Sequence, residues 1–244
     1  CLATGHYVRR TVNRAAGNGR VELHKGADLR RDQSYFLYGT TAGQLDFLRF
    51  PLGELPKDEV RRIAADLGLE VAGKPDSQDI CFVPDGDYAG LVKRLRPETE
   101  APGEIVDLSG RVLGRHRGVV HFTVGQRRGI EVGGQKQPLY VIRIEPEAAR
   151  IVVGPRSALA IEAMRVAGWN WLGEDQREVS VKVRSLAPAV PAVRDGESVR
   201  FTQAEYGVAP GQAAVLYDGS RLLGGGWIAE TEAVRPSVMN AAAA

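Results

Sequence analysis

Apolar residues in the first part of the chain follow helical spacing. Thr41, followed three residues later by Gln44, has the capping-box pattern, which predicts the start of a short helix. Asp87 predicts the cap of another short helix, and we expect that helix to end at Pro97 because proline interrupts a helix. Helical and strand signals alternate over this whole region.

The clearest predicted helix lies between Pro56 and Gly68. Proline fits the first helical turn, and Asp58 and Glu59 place negative charge where the helix dipole is positive. Gly68 suits the left-handed conformation that ends many helices. The predicted apolar face consists of Val60, Ile63, Ala64 and Leu67.

Beyond about residue 97, strand signals replace helical spacing. Two hairpins are predicted, one with its turn at residues 108–110 and one with its turn at residues 147–150. Further alternating runs are residues 179–183, 198–202 and 213–217, then a turn at Asp218-Gly219 and the runs 222–223 and 227–228. Short strands at this spacing are typical of small β-barrels or sandwiches.

The chain starts with Cys1, and residues 1–7 (CLATGHY) have the pattern of a strand that ends at a glycine turn. A strand needs neighbours in a sheet, and no strand precedes this one in the sequence. We therefore expect the sequence to be a truncated part of a longer protein.

The composition is that of an ordinary globular protein, with 43% hydrophobic and 25% charged residues among 244. No apolar run approaches the roughly 18 residues that span a bilayer, and no secretory signal pattern is present. The two cysteines and four scattered histidines predict neither a disulfide framework nor a metal site. We expect a cytoplasmic protein with no membrane partner.

The net charge of +2 is too small to indicate a nucleic-acid partner by itself. Of the 32 basic residues, however, 26 are arginines, whose planar guanidinium suits phosphate. They recur as the doublets Arg9-Arg10, Arg30-Arg31, Arg61-Arg62 and Arg127-Arg128. A solvated surface is the alternative interpretation of each doublet.

Cys81 lies in an unusually polar setting, residues 73–82 (GKPDSQDICF). A structural thiol is normally flanked by apolar residues, whereas a nucleophilic thiol must be reachable and able to ionise. Residue type alone favours an inert thiol, because free cysteine is among the most buried residue types.

A set of longer phrases occurs in one order along the chain. They are ATGHY (3–7), DQSYFLY (32–38), FPLGELPKDEVRRIAADLGL (50–69), KPDSQDICFVPDGDY (74–88), PGEIVD (102–107), HFTVGQRRG (121–129), PLYVIRIE (138–145), PGQAAVLYDG (210–219) and LGGGWI (223–228). Together they resemble the bacterial tRNA-specific 2-thiouridylases, also called tRNA-uridine 2-sulfurtransferases. The resemblance runs from residue 1 to about residue 231.

The resemblance implies an α/β fold followed by β-rich domains. Residues 1–96 would be the C-terminal part of a Rossmann-like ATP-pyrophosphatase domain, and residues 97–157 a small central β-rich domain. Residues 158–234 would be a C-terminal β-barrel that binds tRNA, and residues 235–244 a disordered tail.

The implied activity is ATP-dependent 2-thiolation of the wobble uridine of tRNA. In the family, ATP (with Mg²⁺) adenylates the uracil 2-oxygen, and a cysteine persulfide delivers the sulfur. Cys81 matches the persulfide-bearing residue, and Gly5 matches a glycine that contacts ATP. The family's SGGxDS loop and first catalytic cysteine have no match in this sequence, so we expect this chain to be inactive alone.

The resemblance also implies a set of tRNA contacts: His6, Arg31, Asp32, Gln33, Arg184, Ser185 and Gln212. Serine at 185 replaces the family's usual tyrosine, which puts base or sugar stacking there in doubt. Each residue has a plainer alternative as a turn, strand or surface residue. Arg127 and Arg128, between glycines on a predicted loop, are further candidates for tRNA phosphate contacts.

The implied partners are tRNA and a protein that donates persulfide sulfur, and the implied state is a monomer without a tightly bound cofactor. The alternative that stays open at this point is a non-catalytic RNA-binding β-barrel. A redox thiol protein would need a resolving cysteine, and the sequence contains none at a suitable place.

Overall fold

The computed structural model describes residues 1–13, 19–73, 90, 91, 94, 101–134 and 137–234. The chain divides into two compact units. The first unit consists of Cys1–Pro75, Glu162–Ala204 and Ala209–Glu232. The second unit consists of Asp76–Ile161, Glu205–Val208 and Ala233–Ala244. Each unit is therefore built from three separate stretches of sequence.

Two helices of the first unit form where the local sequence predicted them. In α1 (Ala42–Phe47), Thr41 Oγ1 accepts from the Gln44 amide at 3.3 Å and Gln44 Oε1 accepts from the Thr41 amide at 2.9 Å. This confirms the capping box. The predicted helix after Pro56 is confirmed as α2 (Lys57–Asp66), and Gly68 beyond it has φ +69°.

Four short strands surround these helices, namely β1 (Leu2–Ala3), β2 (Val8–Asn13), β3 (Arg20–Lys25) and β4 (Leu48–Arg49). β1 and β4 pair in parallel, so the predicted opening strand has its sheet neighbour later in the chain. β2 and β3 form an antiparallel pair, with Val8 opposite Lys25 and Asn13 opposite Arg20. The sequence patterns above did not predict this pair.

The second unit contains one four-stranded sheet, formed by β5 (Gly103–Val106), β6 (Val112–His116), β7 (Tyr140–Glu145) and β8 (Arg150–Gly154) in the order β6-β5-β8-β7. The two antiparallel pairs confirm the two predicted hairpins. In the first turn, Asp107 Oδ1 accepts from the Ser109 amide at 2.9 Å and the Arg111 amide at 3.0 Å. A cluster formed by Ile105, Val119, Ile130, Val141, Ile151 and Val153 is the core.

Six strands of the C-terminal half close into a barrel: β9 (Ala160–Trp171), β10 (Glu178–Lys182), β11 (Val190–Asp195), β12 (Ser198–Tyr206), β13 (Ala213–Asp218) and β14 (Arg221–Ala233). Their order is β13-β10-β11-β12-β9-β14, and β14 pairs back with β13. Closure leaves no open edge among these six strands.

Three consecutive glycines in β14 let other segments approach its backbone closely. A Cβ atom on Gly224 would lie 2.5 Å from the Asn170 carbonyl oxygen, and one on Gly225 would lie 2.7 Å from the Tyr38 ring. Real side chains essentially never come this close, so the GGG run is a packing requirement.

The β2–β3 pair continues the barrel sheet beyond β14, with Arg221 opposite His24. One hydrophobic cluster contains residues of both the N-terminal stretch and the barrel. Its buried members are Val8, Leu23, Leu45, Leu172, Ala213, Val215, Tyr217 and Leu222. Burial of this apolar surface is the main stabilising contribution. The N-terminal stretch and the barrel of the first unit therefore share a core.

A network of charged side chains lies where β3 pairs with β14. Glu22, only 8% exposed, accepts from Asn13 Nδ2 at 2.9 Å and forms an ion pair with Arg221 at 3.1 Å, and its other oxygen lies 3.1 Å from His24 Nε2. Burial alone raises the pKa of Glu22, but these hydrogen bonds and positive charges outweigh it and hold the pKa below its usual value. The carboxylate is thus fully paired.

Several predicted features fall outside the described residues. These include the disordered tail at 235–244 and most of the helix after Asp87, of which Gly90, Leu91 and Arg94 are helical. Among the residues that are described, no helix is long and apolar enough to cross a membrane. The same residues contain no group of three His, Cys, Asp or Glu side chains suited to a metal ion.

Candidate nucleic-acid interface

The predicted sulfur-carrying thiol is Cys81, and the predicted ATP contact is Gly5. Cys81 lies outside the described residues. Gly5 follows β1 and is exposed, and a Cβ atom there would have Leu52 Cδ1 at 3.7 Å as its nearest neighbour. The backbone at Gly5 is therefore exposed to solvent.

His6 and Gln33 are brought together through Tyr7, the residue that precedes β2. The Tyr7 amide donates to Gln33 Oε1 at 2.9 Å, and the Gln33 amide donates to the Tyr7 carbonyl at 3.2 Å. The His6 ring is exposed and bonds through Nδ1 to Thr4 Oγ1. Gln33 therefore positions the segment that presents His6, and its own carbonyl oxygen is already in use.

Asp32 has a similar internal role. Its Oδ1 accepts from the amides of Gly26 and Ser34, each at 3.1 Å, and its Oδ2 accepts from Ser34 Oγ at 2.8 Å. The carboxylate closes the turn on which the exposed Arg31 lies. Of the predicted Arg31-Asp32-Gln33 tripeptide, only Arg31 therefore has a solvent-facing charge.

Tyr35 connects this turn to the barrel. Its hydroxyl donates to the Ala213 carbonyl at 3.0 Å, and Lys182 Nζ lies 5.9 Å from its ring centroid. Burial raises the pKa of Tyr35, while the charge of the nearby Arg184 acts in the opposite direction. Since Ala213 follows Gln212, three predicted contact segments, at 31–33, 184–185 and 212, meet around one tyrosine.

The barrel residues of this surface differ in exposure. Arg184 is exposed, and Leu186 two residues later is 99% exposed. Gln212 is half-buried, and its side-chain oxygen has no hydrogen-bond donor among the described residues. An acceptor in this state is stabilised by any ligand that brings a donor within reach.

Sequence reasoning passed over three residues at this junction, namely Lys25, Tyr35 and Lys182. A signal was present for one of them. Lys182 ends β10 and Arg184 follows two residues later in the bend, so two basic residues occur close together in the sequence beside a predicted contact. Lys25 carried no such signal, because its neighbours come from the barrel.

The arginine doublets have two different environments. Arg10, 14% exposed in its side chain, donates from Nε to the Leu45 carbonyl at 3.0 Å and pairs with Asp46 at 3.0 Å. Its neighbour Arg9 donates to the Lys25 carbonyl at 2.8 Å. In the second unit, Arg127 and Arg128 are exposed and form no ion pair with any described residue.

The doublet of the second unit lies at the edge of a cavity. Arg127 lines a cavity of about 730 Å³ together with loop residues 129–134 and 137–139. Gly125 and Gly129 on either side have φ +87° and +74°, so the loop needs glycine at both positions.

Three family models match the chain in order. They describe a tRNA methyl transferase HUP domain (residues 1–85), a tRNA methyl transferase PRC-barrel domain (91–155) and an aminomethyltransferase beta-barrel domain (161–228). This order confirms the predicted fold class of an α/β domain, a small β-rich domain and a β-barrel.

Curated relatives agree with these models. The chain is 67% identical over 232 residues to a protein of Rhizorhabdus wittichii named tRNA-specific 2-thiouridylase MnmA, covering 95% of this chain and 61% of that protein. A protein of the same name from Zymomonas mobilis is 61% identical over 232 residues, covering 95% of this chain and 62% of that protein. The chain belongs to the tRNA-specific 2-thiouridylase family. It spans about three fifths of the length of these 2-thiouridylase relatives.

Proposed function

We propose that this chain takes part in the ATP-dependent 2-thiolation of the wobble uridine of tRNA, and that its first unit supplies a tRNA-binding surface. The observation that carries the proposal is the convergence of segments 31–33, 184–185 and 212 around Tyr35. Family membership supports the same reaction.

Within this surface, Arg31 and Arg184 contact tRNA phosphates, because both are exposed cations at the rim of the junction. His6, exposed in the loop after β1, contacts the same tRNA. Asp32 and Gln33 act as positioning residues, since their side-chain oxygens hold the turn and the Tyr7 segment in place.

The chemistry requires a cysteine that carries sulfur, and we assign that role to Cys81. When bound, ATP supplies the activation that turns the uracil 2-oxygen into a leaving group. The exposed backbone at Gly5 suits contact with ATP, which we expect to bind together with Mg²⁺. The terminal sulfur of the Cys81 persulfide attacks C2, and AMP leaves with the former carbonyl oxygen. A second thiol then attacks Cys81 Sγ, which breaks the S–S bond, releases 2-thiouridine and leaves a disulfide between the two cysteines.

We propose that the persulfide sulfur comes from a separate donor protein, and that the enzyme acts as a cytoplasmic monomer. Because the sequence contains no SGGxDS loop, thiolation is expected only in a protein that also supplies this loop.

Binding of tRNA tests the surface directly. Arg31→Ala combined with Arg184→Ala should weaken tRNA binding about tenfold and flatten its salt dependence, because phosphate contacts release counterions. The matched control is Arg165→Ala, which removes a barrel guanidinium held by Glu230 at 2.5 Å and Glu197 at 3.5 Å. Equal affinities for the double variant and the control would remove this surface from the proposal.

Thiolation tests the catalytic assignment. Cys81→Ser, in a protein with the ATP-binding loop, should abolish 2-thiouridine in tRNA measured by mass spectrometry. Cys1→Ser is the matched control, because Cys1 is a free and exposed thiol. Normal thiolation by Cys81→Ser would exclude Cys81 and favour a non-catalytic RNA-binding role for the chain.

A further inference from the structure

Two lysines from distant parts of the sequence meet in the first unit. Lys25 is the last residue of β3, and Lys182 is the last residue of β10. Each lies over an aromatic ring of the shared core: Lys25 Nζ is 4.4 Å from the centroid of Tyr217, and Lys182 Nζ is 5.9 Å from that of Tyr35. Ser34 links the two tyrosines, since its Oγ lies 3.1 Å from the Tyr217 hydroxyl and Tyr35 follows it in sequence.

The two ammonium groups affect each other electrostatically. Burial lowers the pKa of Lys25, Asp32 acts to raise it, and the charge of Lys182 lowers it further. Neither lysine forms an ion pair with any residue that the structure describes. Among the described residues, Lys25 Nζ donates to the Gly219 carbonyl, at 3.0 Å.

One carboxylate, that of Asp32, acts on Lys25 and compensates part of the charge of the pair. Asp32 also accepts three hydrogen bonds, from Gly26 and from the amide and hydroxyl of Ser34. Lys25 and Lys182 together carry one positive charge more than this carboxylate balances. Half-buried like charges destabilise the folded protein, and an anion bound between them removes that cost.

The ring contacts restrict the class of anion. Tyr217 is fully buried and its face is occupied by Lys25, so it is not available for stacking on a base. Ammonium groups act as compact, strongly hydrated point charges, which suit a single phosphate.

We propose that Lys25 and Lys182 together bind one backbone phosphate of the RNA, at a subsite separate from the contacts of Arg31 and Gln212. This inference rests on the proposed function of the first unit in tRNA binding. The subsite contributes sequence-independent affinity and fixes the position of the RNA on the barrel.

The test is RNA binding by Lys25→Gln, Lys182→Gln and the double variant across a range of salt concentrations. The double variant should weaken binding about threefold to tenfold and reduce the slope of log affinity against log salt by about one. The same loss is expected with tRNA and with an unrelated RNA hairpin, because a phosphate contact is insensitive to sequence. Lys182→Arg should retain affinity, since it preserves the charge.

The matched control is Arg200→Gln, which removes the same charge from the barrel where Arg200 lies 3.2 Å from Glu162 and 3.3 Å from Glu232. Thermal stability should stay level or rise in Lys182→Gln, because the substitution removes the repulsion between the two ammonium groups. An unchanged salt slope in the double variant overturns the subsite. If the wild-type chain itself binds no RNA, the proposed function fails; if only Arg31→Ala and Arg184→Ala weaken binding, the lysine subsite alone is wrong.

Discussion

Two charged residues of β3 have opposite environments. Glu22, in the middle of the strand, is buried and fully paired by Asn13, His24 and Arg221. Lys25, the last residue of the strand, lies beside Lys182 with no described ion-pair partner. Glu22 therefore contributes to the stability of the fold, whereas the charge of Lys25 is available to a ligand. Variants at the two positions should affect different measurements.

The largest expected effect on stability is that of Glu22→Gln. It leaves Arg221 without its buried counter-charge, and we expect a loss of about 3 kcal/mol in the free energy of unfolding. RNA affinity should not change. Urea denaturation measures the loss, and Glu230→Gln is the control, because Glu230 is an exposed carboxylate paired with Arg165. The comparison breaks down if the two variants are equally stable.

The stabilising contribution of ionised Glu22 should depend on pH. The pKa of Glu22 in the folded protein is below its ordinary value of 4.5, so its contribution is present above pH 4.5 and is lost as pH falls through the folded pKa. The stability of the wild type should therefore approach that of Glu22→Gln under acidic conditions. Denaturation curves that stay equally far apart at every pH would contradict this role.

The arginine doublets provide the next contrast. Arg10→Ala should cost about 2 kcal/mol of stability, because it removes charge-assisted hydrogen bonds to Leu45 and Asp46. Arg127→Ala with Arg128→Ala should leave the melting temperature unchanged but weaken RNA binding about threefold and flatten its salt dependence. Similar melting temperatures for the two sets of variants would show that the hydrogen bonds of Arg10 do not make it more important for stability than Arg127 and Arg128.

The smallest expected effect is that of Tyr35→Phe. The substitution removes one hydrogen bond, to the Ala213 carbonyl, and should cost about 1 kcal/mol of stability. The ring that lies under Lys182 is retained, so RNA affinity should be close to that of the wild type. A loss of affinity without a loss of stability would instead mean that the hydroxyl contacts RNA.

Much of the local structure was predictable because its stabilising contacts are local. The capping box at Thr41 and Gln44 joins residues three apart, and the turn at Asp107 bonds to amides two and four residues later. Short-range hydrogen bonds of this kind depend on neighbouring residues alone. The β2–β3 pair was missed because its strands gain their stability from the barrel sheet and not from a regular alternation of their own.

By itself, the sequence determined the family, the order of domains and the segments that carry candidate tRNA contacts. It did not distinguish Arg10, which bonds to Leu45 and Asp46, from Arg127, which is exposed. Only the tertiary structure placed Lys25 beside Lys182 and paired Glu22 with Arg221. The physical reason is that the environment of a charge depends on distances through space, and folding brings together side chains that the sequence keeps far apart.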